Sequence, residues 1–317
     1  MERGLNAFKI NVNGKILDYR VGQKLDLVKV TNFFNTRYRV KKIWSGGRHI
    51  LGILEKSHRK YFLKLSTSEG ISAVTNHEHK WNEIFNQQFP GSKFRVPQNF
   101  DNGYFNDKLF YLITEKFEGK LLCNLDEPKS KSNQLIDDIE QVVELSKLIE
   151  EMQINDLKLP DYIESENFKD RFISKAKAWY EAIPKDISKK FRIITLLKLV
   201  ENGVLSLEKK PRHGDFTPWH IFRLTNNQLG LIDGEHAISG GVEGYDIGYF
   251  IQRIFSVLKN PQVVERILIY LIDRGYKLSR IKVVLAARAI GGYLDESLAS
   301  SPNYEYAKFF QEWVISL

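Results

Sequence analysis

Groups able to do chemistry concentrate between Pro211 and Glu235. His213-Gly214-Asp215 lies in a short loop, and two brief apolar runs follow it, separated by the polar turn Thr225 to Gln228. Asp233 stands at the end of the second run, with Glu235 two residues on. Such a hairpin can hold two carboxylates over one small volume. Phosphoryl transfer from a nucleotide needs a pair of this kind: one acid orients the attacking hydroxyl and takes its proton, and the other holds a divalent ion that neutralises charge developing on the phosphates. His-Gly-Asp alone would read as a turn capped by Asp215. The second acid after the hairpin shifts the reading towards chemistry.

The pattern His-x-Asp-x-x-x-x-Asn of nucleotide-dependent kinases is met at His213 and Asp215 but ends on His220 in place of asparagine. His-Gly-Asp-Phe-Thr-Pro-Trp, followed by Ile-Asp-Gly-Glu, resembles the aminoglycoside phosphotransferase and choline kinase family more than the protein kinases, which usually carry Arg after the His and Phe-Gly after the metal-binding Asp. The resemblance covers nearly the whole chain past residue 38. It implies an α+β, bilobal protein-kinase-like fold with the nucleotide between its lobes. Residues 1–116 would form an antiparallel sheet lobe with one main helix, 1–37 being a hairpin and short-helix extension, and 117–317 a mostly helical lobe. The activity implied is transfer of a γ-phosphoryl group from ATP or GTP, with Mg²⁺ or Mn²⁺, to a hydroxyl of a small molecule such as a sugar, amino sugar or amino alcohol. Asp215 would be the base, His213 a support for its loop, Asp233 a metal ligand, and Glu235 a further contact to the metal, direct or through water.

The elements upstream must deliver the rest of such a site. Asn13-Gly14 between alternating runs signals a hairpin, and a short helix is expected over 25–35. Three strands are expected over 38–44, 49–55 and 60–66. Ser45-Gly46-Gly47 breaks the first two, and glycine there lets backbone N–H groups approach phosphate oxygens. Lys64 sits among Phe62, Leu63 and Leu65, a placement that costs free energy unless the ammonium finds an anion. In kinase-like lobes this lysine contacts the nucleotide phosphates and pairs with a glutamate on the next helix. The helix expected over 68–89 offers Glu78, with Glu83 as the fallback. A loop and fourth strand follow over 90–106, then a strand from Lys108. The resemblance makes the backbone around Glu115, Lys116 and Phe117 the hinge that bonds the adenine edge.

From Asn133 the period becomes helical, with helices expected over 136–155, 168–182 and 187–204. A glycine loop is expected around Gly240, Gly241 and Gly244, then a helical block from Tyr245 broken near Pro261 and Pro302. Asp246 is placed like the family's aspartate that bonds back to the catalytic loop, and also like a helix N-cap.

His220 departs from the pattern. Asparagine offers oxygen to a hard ion, whereas imidazole offers nitrogen and suits Mn²⁺ or Zn²⁺ better. Three readings stay open: metal held through Asp233 with a preference for Mn²⁺, His220 turned away with water in its place, or activity weakened so that the chain is a kinase-shaped regulatory or nucleotide-binding protein. For the acceptor, relatives point to Glu243, Arg253, Tyr245, Tyr249, Phe250 and Tyr293, although the aromatic residues equally suit a helix core.

Composition bounds the rest. The chain has 317 residues, 43% of them hydrophobic, and a single cysteine, Cys123, which excludes an internal disulfide. The longest apolar runs fall short of a membrane span, and the N-terminus lacks a signal-peptide core, so a cytoplasmic protein without a membrane partner is expected. A net charge of +8 is scattered rather than clustered, which argues against specific nucleic-acid binding and leans against a polycationic acceptor. Nothing in the sequence speaks to oligomeric state.

Overall fold

Asn13 and Gly14 both take left-handed backbone angles, φ 50° and 79°, as a tight primed hairpin turn requires. Across them β1 (Lys9–Val12) pairs with β2 (Lys15–Asp18). The computed structural model describes residues 6–124, 133–159 and 167–317. Helix α1 (Leu27–Asn35) begins where the Asp26 carboxylate accepts the amides of Val28 and Lys29 at 2.9 and 3.4 Å.

Five antiparallel strands form the main sheet: β3 (Arg39–Gly46), β4 (His49–Lys56), β5 (Arg59–Ser66), β7 (Asn99–Phe105) and β8 (Leu109–Glu115), in the order β3-β4-β5-β8-β7. Side chains alternate along β5. Leu63 and Leu65 are fully buried in a core with Val30, Phe34, Leu54 and Ile113, so Lys64 between them points to the other face. That face is covered by α2 (Glu69–Gln88), started by the Ser68 hydroxyl accepting the Ile71 amide at 3.3 Å. The segment 90–106 supplies two strands. Besides β7 it contains β6 (Phe94–Arg95), which runs parallel to β12 (Leu229–Leu231) in a second sheet with β9 (Gly119–Leu121) and β11 (Ile221–Leu224).

The described residues fall into two compact units: 6–120, 156–159 and 222–237 in the first, and 121–124, 133–155, 167–221 and 238–317 in the second. The hairpin carrying Asp233 and Glu235 therefore belongs with the strand-rich unit, whereas the expected division at residue 117 put it with the helices.

The second unit holds α3 (Ile139–Glu150), α4 (Phe168–Ala182), α5 (Lys185–Lys190) and α6 (Ile194–Gly203). The helix expected over 136–155 ends at Glu150 and is preceded by a 3₁₀ turn over Asn133–Asp138. The helix expected over 187–204 is two helices, because Arg192 takes φ 50° and ends the first. The expected glycine loop is largely a strand: β13 (Ile238–Val242) pairs with β10 (Lys209–Arg212). Gly241 is required there because a Cβ would lie 2.8 Å from Arg212 Cδ. Then come α7 (Tyr245–Gln252), a π-helical turn Arg253–Val257, α8 (Pro261–Asp273), α9 (Leu278–Leu298) and α10 (Glu305–Ser316). Helix α9 is buried almost throughout from Ile281 to Leu294. No described helix is long and apolar enough to cross a membrane.

Candidate active site

In the first unit Lys64 is the centre of an ion cluster. Its Nζ donates to Glu78 Oε2 at 2.7 Å, also bonds Asp233 Oδ1, and stands 2.8 Å from Glu235 Oε1 as an ion pair. Glu78 is thus the partner on α2, and Glu83 is instead an exposed side chain 3.4 Å from His79. Burial by itself would lower the Lys64 pKa, but the three acids outweigh it and hold the ammonium well above its usual range. Burial pushes Glu78 up to about 7 against the pull of Lys64, with Asp233 and Glu235 adding to the rise.

Glu235 is 1% exposed and is served from three further sides. Arg48 Nη2 lies 2.9 Å from Oε2, His49 Nε2 3.1 Å from Oε1, and the Thr75 hydroxyl 3.5 Å from Oε1. Burial would raise its pKa, but Lys64, Arg48 and His49 together keep it well below the carboxylate norm. His49 is itself pushed down by burial. Arg48, His49 and Thr75 were not singled out in the sequence, although Arg-His directly after Gly46-Gly47, at the mouth of a strand turn, was a readable signal.

Backbone geometry sets the position of these acids. Asp233 takes φ 69°, ψ 49°, a left-handed conformation costing a residue with a Cβ about 1–2 kcal/mol. Gly234 follows because Trp81 packs on it: a Cβ would come within 2.2 Å of Trp81 Cδ1. His77 bonds the Ala237 carbonyl, and burial pushes its imidazole down to about 4, so it stays neutral. Ligand oxygens of Glu78, Asp233 and Glu235 lie within 4.8 Å of one another, an all-oxygen set that fits a hard divalent ion such as Mg²⁺ or Mn²⁺.

Other nucleotide-side candidates lie in the same unit. Ser45 and Gly47 are exposed at the β3–β4 turn, and Gly46 sits over Leu51, where a Cβ would come 2.5 Å from Leu51 Cδ1. Gly47, at φ 68°, faces open space. Glu115 is less suited to base recognition than expected. Its amide donates to the Gln98 carbonyl at 2.8 Å, and its carboxylate takes Arg95 with both oxygens at 2.7 Å. Phe117 is buried, with Arg95 5.7 Å above its ring and Gly230 beside it.

In the second unit the His213-Gly214-Asp215 loop is held from below. Asp246, 1% exposed, accepts the backbone amides of His213 and Gly214 at 2.7 and 2.8 Å. The cap of α7 is Gly244, so of the two roles read for Asp246 the bond to the loop is the one formed. His213 is fully buried, which suits support of the loop rather than proton transfer. His220 folds back on the same loop, its Nδ1 2.9 Å from the Asp215 carbonyl and 3.6 Å from Asp215 Oδ2.

Of the acceptor candidates, Tyr293 and Phe250 are core, 0% and 1% exposed. Glu243 pairs with Arg280 at 2.8 Å. Tyr249 and Arg253 meet, the phenol oxygen 2.6 Å from Arg253 Nη2, and Asp295 holds Nη1 at 2.8 Å.

No protein-family model matches the chain, and no curated protein does. Solved structures do match. Aminoglycoside phosphotransferase APH(4)-Ia aligns over 92% of this chain and 98% of its own, with TM-score 0.67 and 15% identity. A thermostable mutant of the same protein, in ternary complex with ADP and hygromycin B, aligns over 90% and 95% with TM-score 0.64 and 15% identity. A putative aminoglycoside phosphotransferase from Ralstonia eutropha aligns over 92% and 99% with TM-score 0.60 and 12% identity. The fold is therefore the kinase-like fold of the aminoglycoside phosphotransferases.

Proposed function

We propose that the chain is a phosphotransferase that moves the γ-phosphoryl group of ATP or GTP to a hydroxyl of a small molecule. The observation that carries this is the Lys64 cluster: a buried ammonium bonded to Glu78, Asp233 and Glu235. It combines a lysine able to contact nucleotide phosphates, held by its helix glutamate, with an oxygen set for a divalent ion. Glu78, Asp233 and Glu235 would hold Mg²⁺ or Mn²⁺, which when bound neutralises phosphate charge. The turn Ser45-Gly46-Gly47 would cover the phosphates, and backbone groups of Lys116 and Phe117 would meet the base. Asp215 would orient the acceptor hydroxyl and take its proton, on a loop braced by Asp246. Solved relatives of this fold hold ADP with hygromycin B, or GDP with kanamycin, which supports a nucleotide donor and a small hydroxylated acceptor.

Thermal stabilisation by ATP plus Mg²⁺ or Mn²⁺, then ADP release over a panel of alcohols, tests the reading. Lys64→Met should lose nucleotide stabilisation, and Asp215→Asn should keep it while losing turnover. Unchanged turnover in Asp215→Asn would sink the assignment. A second reading, a regulatory nucleotide-binding protein, is favoured by His220, whose Nδ1 is committed to the Asp215 carbonyl. That reading predicts stabilisation without turnover by any acceptor, and a gain of Mg²⁺-dependent activity in His220→Asn.

A further inference from the structure

Beside the proposed base, arginine and tyrosine side chains form a stack. Arg212 lies 3.9 Å from the centre of the Tyr245 ring, Arg288 3.6 Å from that of Tyr249, and Arg253 4.7 Å from Tyr249 on its other contact. Arg288 also donates to the Tyr245 hydroxyl at 3.2 Å. Tyr245 and Tyr249 are one helical turn apart on α7, Arg212 immediately precedes the His213 loop, and Arg288 comes from the middle of α9.

The stack is short of negative charge. Arg288 is 4% exposed, yet among the described residues neither it nor Arg212 has a carboxylate within ion-pair distance. Asp295 is taken by Arg253, and Asp246, whose charge reaches Arg212, bonds backbone amides with both oxygens and no guanidinium. The Nε–H groups of Arg212, Arg253 and Arg288 are all buried without an acceptor. Aromatic faces offset part of the dehydration of a guanidinium but leave its in-plane donors unfilled. The excess is felt by Tyr245: burial would raise its phenol, yet Arg212, Arg288 and Lys175 bring it below its ordinary value. Arg212 leads directly into the loop that carries the proposed base Asp215, so the stack stands on the acceptor side.

Resting on the phosphotransferase reading, we infer that Arg212 and Arg288, backed by Arg253, form an anion subsite, and that the acceptor is an alcohol already bearing a phosphate or a carboxylate. A polycationic aminoglycoside is the wrong charge for this site. Planar guanidinium donors match either anion with two parallel bonds.

Calorimetric titration of the full chain, with and without ADP, should use glucose 6-phosphate, gluconate, glucose and kanamycin. At least one of the two anionic alcohols should bind about tenfold or more tightly than glucose, and which one does separates phosphate from carboxylate. Arg288→Met and Arg212→Gln should each weaken that binding about tenfold, with Arg288→Lys in between. Arg212→Gln, on a half-buried side chain, keeps the test open if Arg288→Met does not fold. Equal binding of glucose, preference for kanamycin, or anion binding untouched by both arginine variants overturns the inference. ADP release separates the two readings. Turnover confined to neutral or cationic alcohols removes the anion subsite and leaves the phosphotransferase. Arginine-dependent anion binding with no turnover of any alcohol keeps the subsite and removes the phosphotransferase.

Discussion

Lys64 Nζ lies 2.8 Å from Glu235 Oε1, and the carboxylate it meets is 1% exposed and shared with Arg48 and His49. One acid thereby balances Lys64 of β5, His49 at the start of β4 and half-buried Arg48 of the turn before it.

Removing that acid should be severe. Glu235→Ala leaves Arg48 and Lys64 short of a counter-charge in a dehydrated site, a cost on the order of 3–5 kcal/mol. Glu83→Ala, whose contact with His79 is half exposed, should cost under about 1 kcal/mol. Urea denaturation of both variants checks the contrast, and equal losses would refute the account of Glu235.

Gly234→Ala places a methyl 2.2 Å from Trp81 Cδ1. Overpacking of this kind costs about 1–3 kcal/mol, and Trp81→Leu in the same chain should recover part of it. A double variant no more stable than the sum of the two single changes would show that the clash is not the cause.

Asp246→Ala should act on turnover. It removes two charge-assisted bonds to the His213 and Gly214 amides, each worth about 1.5–3 kcal/mol, and frees the loop that carries Asp215. Since none of the Lys64 cluster is touched, kcat should fall while nucleotide affinity holds. Loss of both together would mean that the unit has unfolded rather than the loop alone.

Stability should fall as pH rises from about 4.5 to about 7, by way of Glu150. Burial raises this side chain from 4.5 to about 7, although the Gly244 amide bonds it at 2.6 Å. Below about 4.5 the carboxyl is protonated in both states. Above that the unfolded chain ionises first, so stability is lost between about 4.5 and 7, by up to about 3 kcal/mol. Asp246, raised to about 6 mainly by burial, adds in the same direction. In Glu150→Gln the pH profile of unfolding should be flatter by the Glu150 share, and an unchanged profile would contradict the assignment.

Local rules made much of the fold readable. Asn13-Gly14 demanded positive φ twice, alternation along 60–66 put Lys64 opposite Leu63 and Leu65, and the helical period over 68–89 carried Glu78 to the covered face. Interruptions were less readable. Nothing in the composition of 187–204 signals that Arg192 would adopt φ 50°, and Gly240-Gly241 reads as a loop until Arg212 is seen lying against Gly241.

The sequence by itself determined the α+β organisation and, through residue type and spacing, named Lys64, Glu78, Asp215, Asp233 and Asp246. Short-range periodicity and turn chemistry act within a few residues, and that is enough to place a side chain on a strand face or a loop. Only the tertiary structure decided that Arg48 would grip Glu235 from 187 residues away, and that Arg212 and Arg288 would stack on Tyr245 and Tyr249. Those contacts join distant elements, and charge balance in a dehydrated site depends on every group brought there, so no single segment contains it.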